Sequence, residues 1–136
     1  RGKGERVYVG MCELQGLDNE HPNYAKLDAK QYVGSVYGVV AAQRGYLHPV
    51  GEWNFEEVTV NGSKIKVELN RTVILDADVS KVDPATYMHG GKHPGITRTK
   101  GYFGFAGHSD PVAFRNIRLK TLPETPAAET KAEEKK

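Results

Sequence analysis

The sequence predicts an all-β fold, an antiparallel sandwich, and three observations carry that expectation. No segment sustains a helical period. Asn61-Gly62 lies between two alternating apolar runs, and turn residues recur roughly every 8–12 positions, the spacing of short sandwich strands. The chain has 136 residues, but Leu122 onward (LPETPAAETKAEEKK) offers almost nothing to bury. Such a segment cannot offset its ordering entropy, so residues 1–121 are expected to form the sandwich domain and 122–136 a disordered tail. Net charge is +2 with the basic residues scattered, which argues against a nucleic-acid partner. The lone Cys12 excludes an internal disulfide framework, and no apolar run approaches the roughly 18 residues that span a bilayer. The opening RGKGERVYVG has no Met and no targeting segment. Either a signal and more have been removed, or the chain is the later part of a larger domain, and strands upstream of Arg1 are expected.

Val7 to Leu14 reads as the first strand, with Cys12 and Leu14 inward and Glu13 and Gln15 outward. Asp18 follows at the strand exit, and 18–31 is a polar loop with room for a short helical turn. Val33 to Ala42 (VGSVYGVVAA) reads as a buried strand whose glycines mark a bulge or a close backbone approach. Phe55 to Val60 and Ser63 to Leu69 flank the Asn-Gly hairpin signal, which sets Val58 against Ile65 and Glu57 against Lys66. A second turn at Asn70-Arg71 sets Leu69 against Thr72 and Val67 against Ile74. Arg71 suits it poorly, because such a turn wants positive φ there. Residues 76–100 are mostly loop, with a helix start at Asp83-Pro84-Ala85-Thr86. Gly101 to Leu119 closes the ordered chain as a hairpin turning at Ser109, Asp110 and Pro111. On its first strand Phe103 and Phe105 share one face; Tyr102, Gly104, Ala106 and His108 share the other, leaving room for a ligand. Phe114 and Ile117 require a bulge near Arg115.

Chemistry has several candidate bearers. His89 and His93 are four apart but lie in Gly- and Pro-rich loop, and read as solvated histidines rather than zinc ligands. Glu13 and Asp18 are the carboxylates at the outward face and exit of one strand. Glu52 and Asn54 bracket Trp53, which is read as core ahead of a sugar platform. His108 reads either as an acid–base group or as a turn histidine bonded to backbone. Glu13 and Gln15 read equally as part of a site or as a solvated sheet face. The Asn61 and Asn70 sequons are explained as turns, and Cys12 as a core residue.

Four stretches in order, ELQGLDNEHP at 13–22, GSVYGVVA at 34–41, GEWNFEEVTVNGSKIKVELN at 51–70 and GYFGFAGHSDPVAFRNIRLK at 101–120, together resemble the bacterial 3-keto-disaccharide hydrolase family. The resemblance covers essentially Arg1 to Leu122, the later two-thirds of the family domain, and departs from it at Asn70-Arg71, where the family usually has Asn-Gly. It implies a concanavalin-like (lectin/glucanase) jelly-roll sandwich and a glycoside whose ring is oxidised to a ketone at C3. That ketone acidifies the C2 proton, so a base can remove it, C1 expels the aglycone, and water adds to the product. The chemistry needs a base, an acid for the leaving oxygen and stabilisation of an enolate. The resemblance implies Glu13, Asp18 and His108 as catalytic residues, with His108 or Glu13 as base. Gln15, Glu52, Asn54, Tyr102 and Arg115 are implied substrate contacts. A divalent cation in the enolate role is compatible with this, though the spacing shows none. Periplasmic or secreted location is implied by the resemblance alone. The alternative is a lectin-like module that holds glycans without turnover, or a fragment without activity of its own.

Overall fold

The computed structural model describes Gly10, residues 12–107 and residues 110–123. The chain divides into two compact units, Arg1–Tyr102 and Phe103–Lys136. The first is built on one antiparallel sheet of order β1-β2-β3, with β1 Glu56–Asn61, β2 Lys64–Leu69 and β3 Thr72–Asp78. Among the described residues the remaining regular elements are 3-10 turns of three or four residues, so the fold is all-β and antiparallel, as the turn spacing predicts. Short caps fix these turns. Asp28 accepts from Lys30 N and Asp83 from Ala85 N, the latter at the predicted helix start.

Strand β2 alternates as a half-buried strand must: Ile65, Val67 and Leu69 are buried, while Lys66 and Glu68 lie on the other face. The turn before it corrects the expected register. Asn61 pairs with Lys64, which leaves Gly62-Ser63 as the loop, with Gly62 at φ +59. Glycine at the first central position is what a type II′ hairpin turn uses, and this wins over the Asn-Gly placement. Val58 therefore faces Val67 rather than Ile65, and Glu57 faces Glu68 rather than Lys66. The slip is two residues, so every side chain keeps its predicted face.

The second turn falls where predicted, with Leu69 opposite Thr72 and with Asn70 and Arg71 at φ +49 and +72. Asn tolerates the left-handed region; an arginine there costs about 1–2 kcal/mol. Beyond it the expected Val67–Ile74 pair gives way to Val67–Leu75, because the ladder shifts between Val67 and Glu68. The extra residue lets sequence neighbours Ile74 and Leu75 both be buried.

The segment packed on this sheet corrects a second expectation. Residues 33–42 are largely buried but form no ladder; Val36 makes isolated bridges to Leu14 and Val40. Val33, Val36, Val39 and Ala42 are buried at every third position, so the coil presents one apolar edge without strand alternation. Gly34 permits this. It sits at φ +74, and a Cβ there would lie 2.4 Å from Ile74 Cδ1. This is the close approach that the glycines predicted. Gln43 N then donates to Ile74 O at 2.8 Å, tying the coil's exit to β3. The buried polar groups are paired: Ser35 Oγ accepts from Ala42 N at 2.9 Å, and Asn19 Oδ1 from Val33 N at 2.9 Å.

Three single residues also depart from expectation. Cys12 is exposed, and Leu14 beside it supplies the contact with the core. Trp53 is 46% exposed and stands outside the core. His93 is buried, its Nε2 3.2 Å from Met88 O and its ring edge-on to Tyr87, because Gly38 leaves the space for it. Val7–Val9 and Met11, which begin the expected first strand, lie outside the described residues.

In the second unit, the expected strands of the Gly101–Leu119 hairpin are not formed among the described residues, and part of its turn lies outside them. Phe103 and Phe105 do meet, edge to face at 5.2 Å, and Phe105 stacks on Phe114 at 4.0 Å. Aromatic pairing thus draws the two arms together. A two-stranded ribbon gains too little from such pairs to hold a ladder by itself.

Candidate active site

Asp18 lines a groove of about 350 Å³ with Glu20, His21, Leu47, His48 and Val50. One wall is the turn after the Glu13–Gln15 segment. Asp18 Oδ1 accepts from Glu20 N at 3.1 Å, and His21 caps the 3-10 turn Pro22–Tyr24 by accepting from Asn23 N at 3.2 Å through Nδ1. Arg44 braces this wall. It makes two contacts to the Glu20 carboxylate, at 3.0 and 3.2 Å, and its guanidinium lies 4.9 Å from the Tyr32 ring centre. That hydrogen bonding holds the Glu20 carboxyl below its usual range.

The opposite wall is the loop 47–50, fixed by its neighbours. Asn54 Oδ1 accepts from His48 N at 2.8 Å, and Glu52 N donates to Pro49 O at 3.0 Å. His48 Nδ1 lies 2.9 Å from Trp53 O. A carbonyl oxygen only accepts, so Nδ1 carries the proton and neutral His48 presents a bare Nε2. His21 is the reverse: its Nδ1 accepts, so its Nε2 carries the proton. The groove therefore holds two carboxylates, an imidazole that can accept a proton and another that presents an N–H donor, groups suited to proton transfer at a sugar carbon and to hydrogen bonding of its leaving oxygen.

A second groove, of about 640 Å³, shares His48 and is lined also by Trp53, Phe55, Asn70 and Arg71. Asn70 is its tie-point. Its Oδ1 accepts from Phe55 N at 2.9 Å, and its Nδ2 donates to Tyr46 O and Asn54 Oδ1, each at 2.7 Å.

The residues singled out in the sequence thus distribute unevenly. Asp18 is in the first groove, and Glu52 and Asn54 belong to the loop that shapes it. Glu13 and Gln15 lie on the segment paired with 34–37, through Tyr37 N to Glu13 O and Gln15 N to Ser35 O, and line neither groove. Tyr102 is fully exposed, Arg115 belongs to the second unit, and His108 lies outside the described residues. Sequence reasoning missed His21 and His48. Each had a signal, an imidazole beside a proline at a loop bend, too common to point to a site. No group of three or more His, Cys, Asp or Glu side chains suited to a metal ion occurs among the described residues. They do not by themselves fit the cation that the enolate role would use.

A family model, the 3-keto-alpha-glucoside-1,2-lyase-like domain, matches residues 1–120. A 3-keto-disaccharide hydrolase of Bacteroides thetaiotaomicron is 28% identical over 134 residues, covering 87% of this chain and 46% of that protein. The chain thus spans about half the length of that curated relative. A crystal structure from Parabacteroides distasonis, of a protein provisionally described as a glycosyl hydrolase, is 28% identical. It matches 47% of this chain and 33% of its own with a TM-score of 0.45. With residues 1–120 of its 136 matched by the family model, the chain belongs to the 3-keto-alpha-glucoside-1,2-lyase-like family.

Proposed function

We propose that the chain carries a carbohydrate-active site that cleaves 3-keto-glycosides, including 3-keto-disaccharides, by elimination at C2–C1 followed by addition of water. The observation that carries this reading is the groove around Asp18, with its two imidazoles in opposite tautomers. Family membership supports the substrate class. The first step needs a base at the C2 proton. His48 Nε2 meets that need within the groove, and Glu13 and His108 remain the alternatives that the family resemblance implies. His48, having taken the C2 proton, returns it from Nε2 to the departing C1 oxygen; His21 Nε2–H hydrogen-bonds that oxygen, and Asp18 orients the sugar hydroxyls. A periplasmic or secreted location belongs to the same proposal and rests on the resemblance.

The test uses the full-length protein with a 3-keto-disaccharide, following release of the free sugar. H48Q is expected to lower kcat/KM by about 10²-fold or more, as loss of a proton-transfer group does, and D18N, which removes a charged acceptor for the sugar hydroxyls, by about tenfold. Unchanged rates in both would remove this site assignment. Glycan binding without release of sugar would establish the lectin-like alternative.

A further inference from the structure

We infer that the second groove is a subsite for an acidic sugar, a pyranose bearing a carboxylate, with Arg71 as its anion-recognising residue. The inference rests on the carbohydrate reading above but concerns a different surface. The groove presents Trp53 and Phe55, respectively 46% and 59% exposed, beside one cation. Half-exposed aromatic rings in a groove suit the C–H face of a sugar ring, and a planar guanidinium suits a carboxylate.

The backbone makes Arg71 informative. It occupies a hairpin turn at φ +72, where glycine would be free of strain. A side chain kept at a strained position calls for a compensating interaction, and none is found among the described residues. Arg71 makes no hydrogen bond or ion pair with any described residue. The turn is tied down by hydrogen bonds. Asn70, just before it, is committed to Phe55 N, Tyr46 O and Asn54 Oδ1, so the guanidinium starts from an anchored backbone beside the Trp53–Phe55 wall. Anchoring of this kind lowers the ordering cost of binding.

Trp53 is the only tryptophan in the chain, so its fluorescence reports this groove directly. The probes are cellobiose and cellobiouronic acid, the same disaccharide with one primary alcohol oxidised to a carboxylate. The wild-type chain is expected to bind the acid roughly fivefold tighter than the neutral sugar, the scale of one partly exposed charge pair. The preference should fall as salt rises. In R71G, whose glycine suits the turn, both sugars should bind with the neutral sugar's affinity. Equal affinities in the wild type, a preference that survives R71G, or no Trp53 response to either sugar would each overturn the inference. Turnover of a 3-keto-disaccharide, measured in parallel, separates the two readings. Turnover without acid preference removes this subsite alone, and acid preference without turnover removes the proposed reaction alone.

Discussion

The meander 56–78 and the coil 33–42 bury apolar residues against each other by different physical means. In β2 every second residue is buried and the backbone groups are paired by neighbouring strands. In the coil every third residue is buried, and the backbone is satisfied piecemeal, by Ser35 Oγ, by Asn19 and by single bonds to the Glu13–Gln15 segment. The ladder tolerates a changed side chain at a cost set by volume. The coil depends on the absence of a side chain at one crossing point. The difference predicts where substitution is most damaging.

The largest effect is expected at Gly34. An alanine there meets Ile74 Cδ1 at 2.4 Å and is held at φ +74, so G34A should destabilise by about 2–4 kcal/mol in urea unfolding. Val67 is fully buried at the centre of β2. V67A removes two methyl groups from a site the ladder holds open, and should cost about 2 kcal/mol by the same measurement. If V67A proves worse than G34A, the coil has more freedom to move than its close approach implies. Next comes R71G, which relieves a left-handed arginine and should stabilise by about 0.5–1 kcal/mol, net of glycine's own entropy.

The smallest effect is electrostatic and sits where the meander ends. Asp78 accepts from Ser63 and from Ser80, whose N and Oγ lie 3.1 and 2.6 Å away; these bonds hold its carboxyl down at about 2. A folded-state pKa below the ordinary value near 3.8 means the stabilisation is complete above that value and lost as pH falls toward 2. Melting temperature should therefore decline more steeply from pH 4 to pH 2 in the wild type than in D78N.

The same comparison explains how much of the molecule was legible in its sequence. The meander was legible because period-2 alternation and turn residues are local. Even the register error at Gly62-Ser63 came from choosing between two adjacent glycine-containing turns. The coil was not, since VGSVYGVVAA is as apolar as a buried strand. Only the sheet across from Gly34 decides that it crosses as coil. The bulge at Ile74 escaped for the same reason. At the candidate site Asp18 was legible through the family pattern, whereas His48 and His21 were not. Their chemistry depends on which ring nitrogen a backbone group occupies, and that follows from loop geometry rather than residue type.

The central claim is an elimination and rehydration at a 3-keto sugar, and cleavage in deuterium oxide tests it most directly. If the full-length protein removes the C2 proton and water then adds across C1 and C2, the released 3-keto sugar carries deuterium at C2. That deuterium should appear at the rate of cleavage and well ahead of the enzyme-free control. Release of a sugar that retains its original hydrogen at C2, at the same rate, would contradict the account.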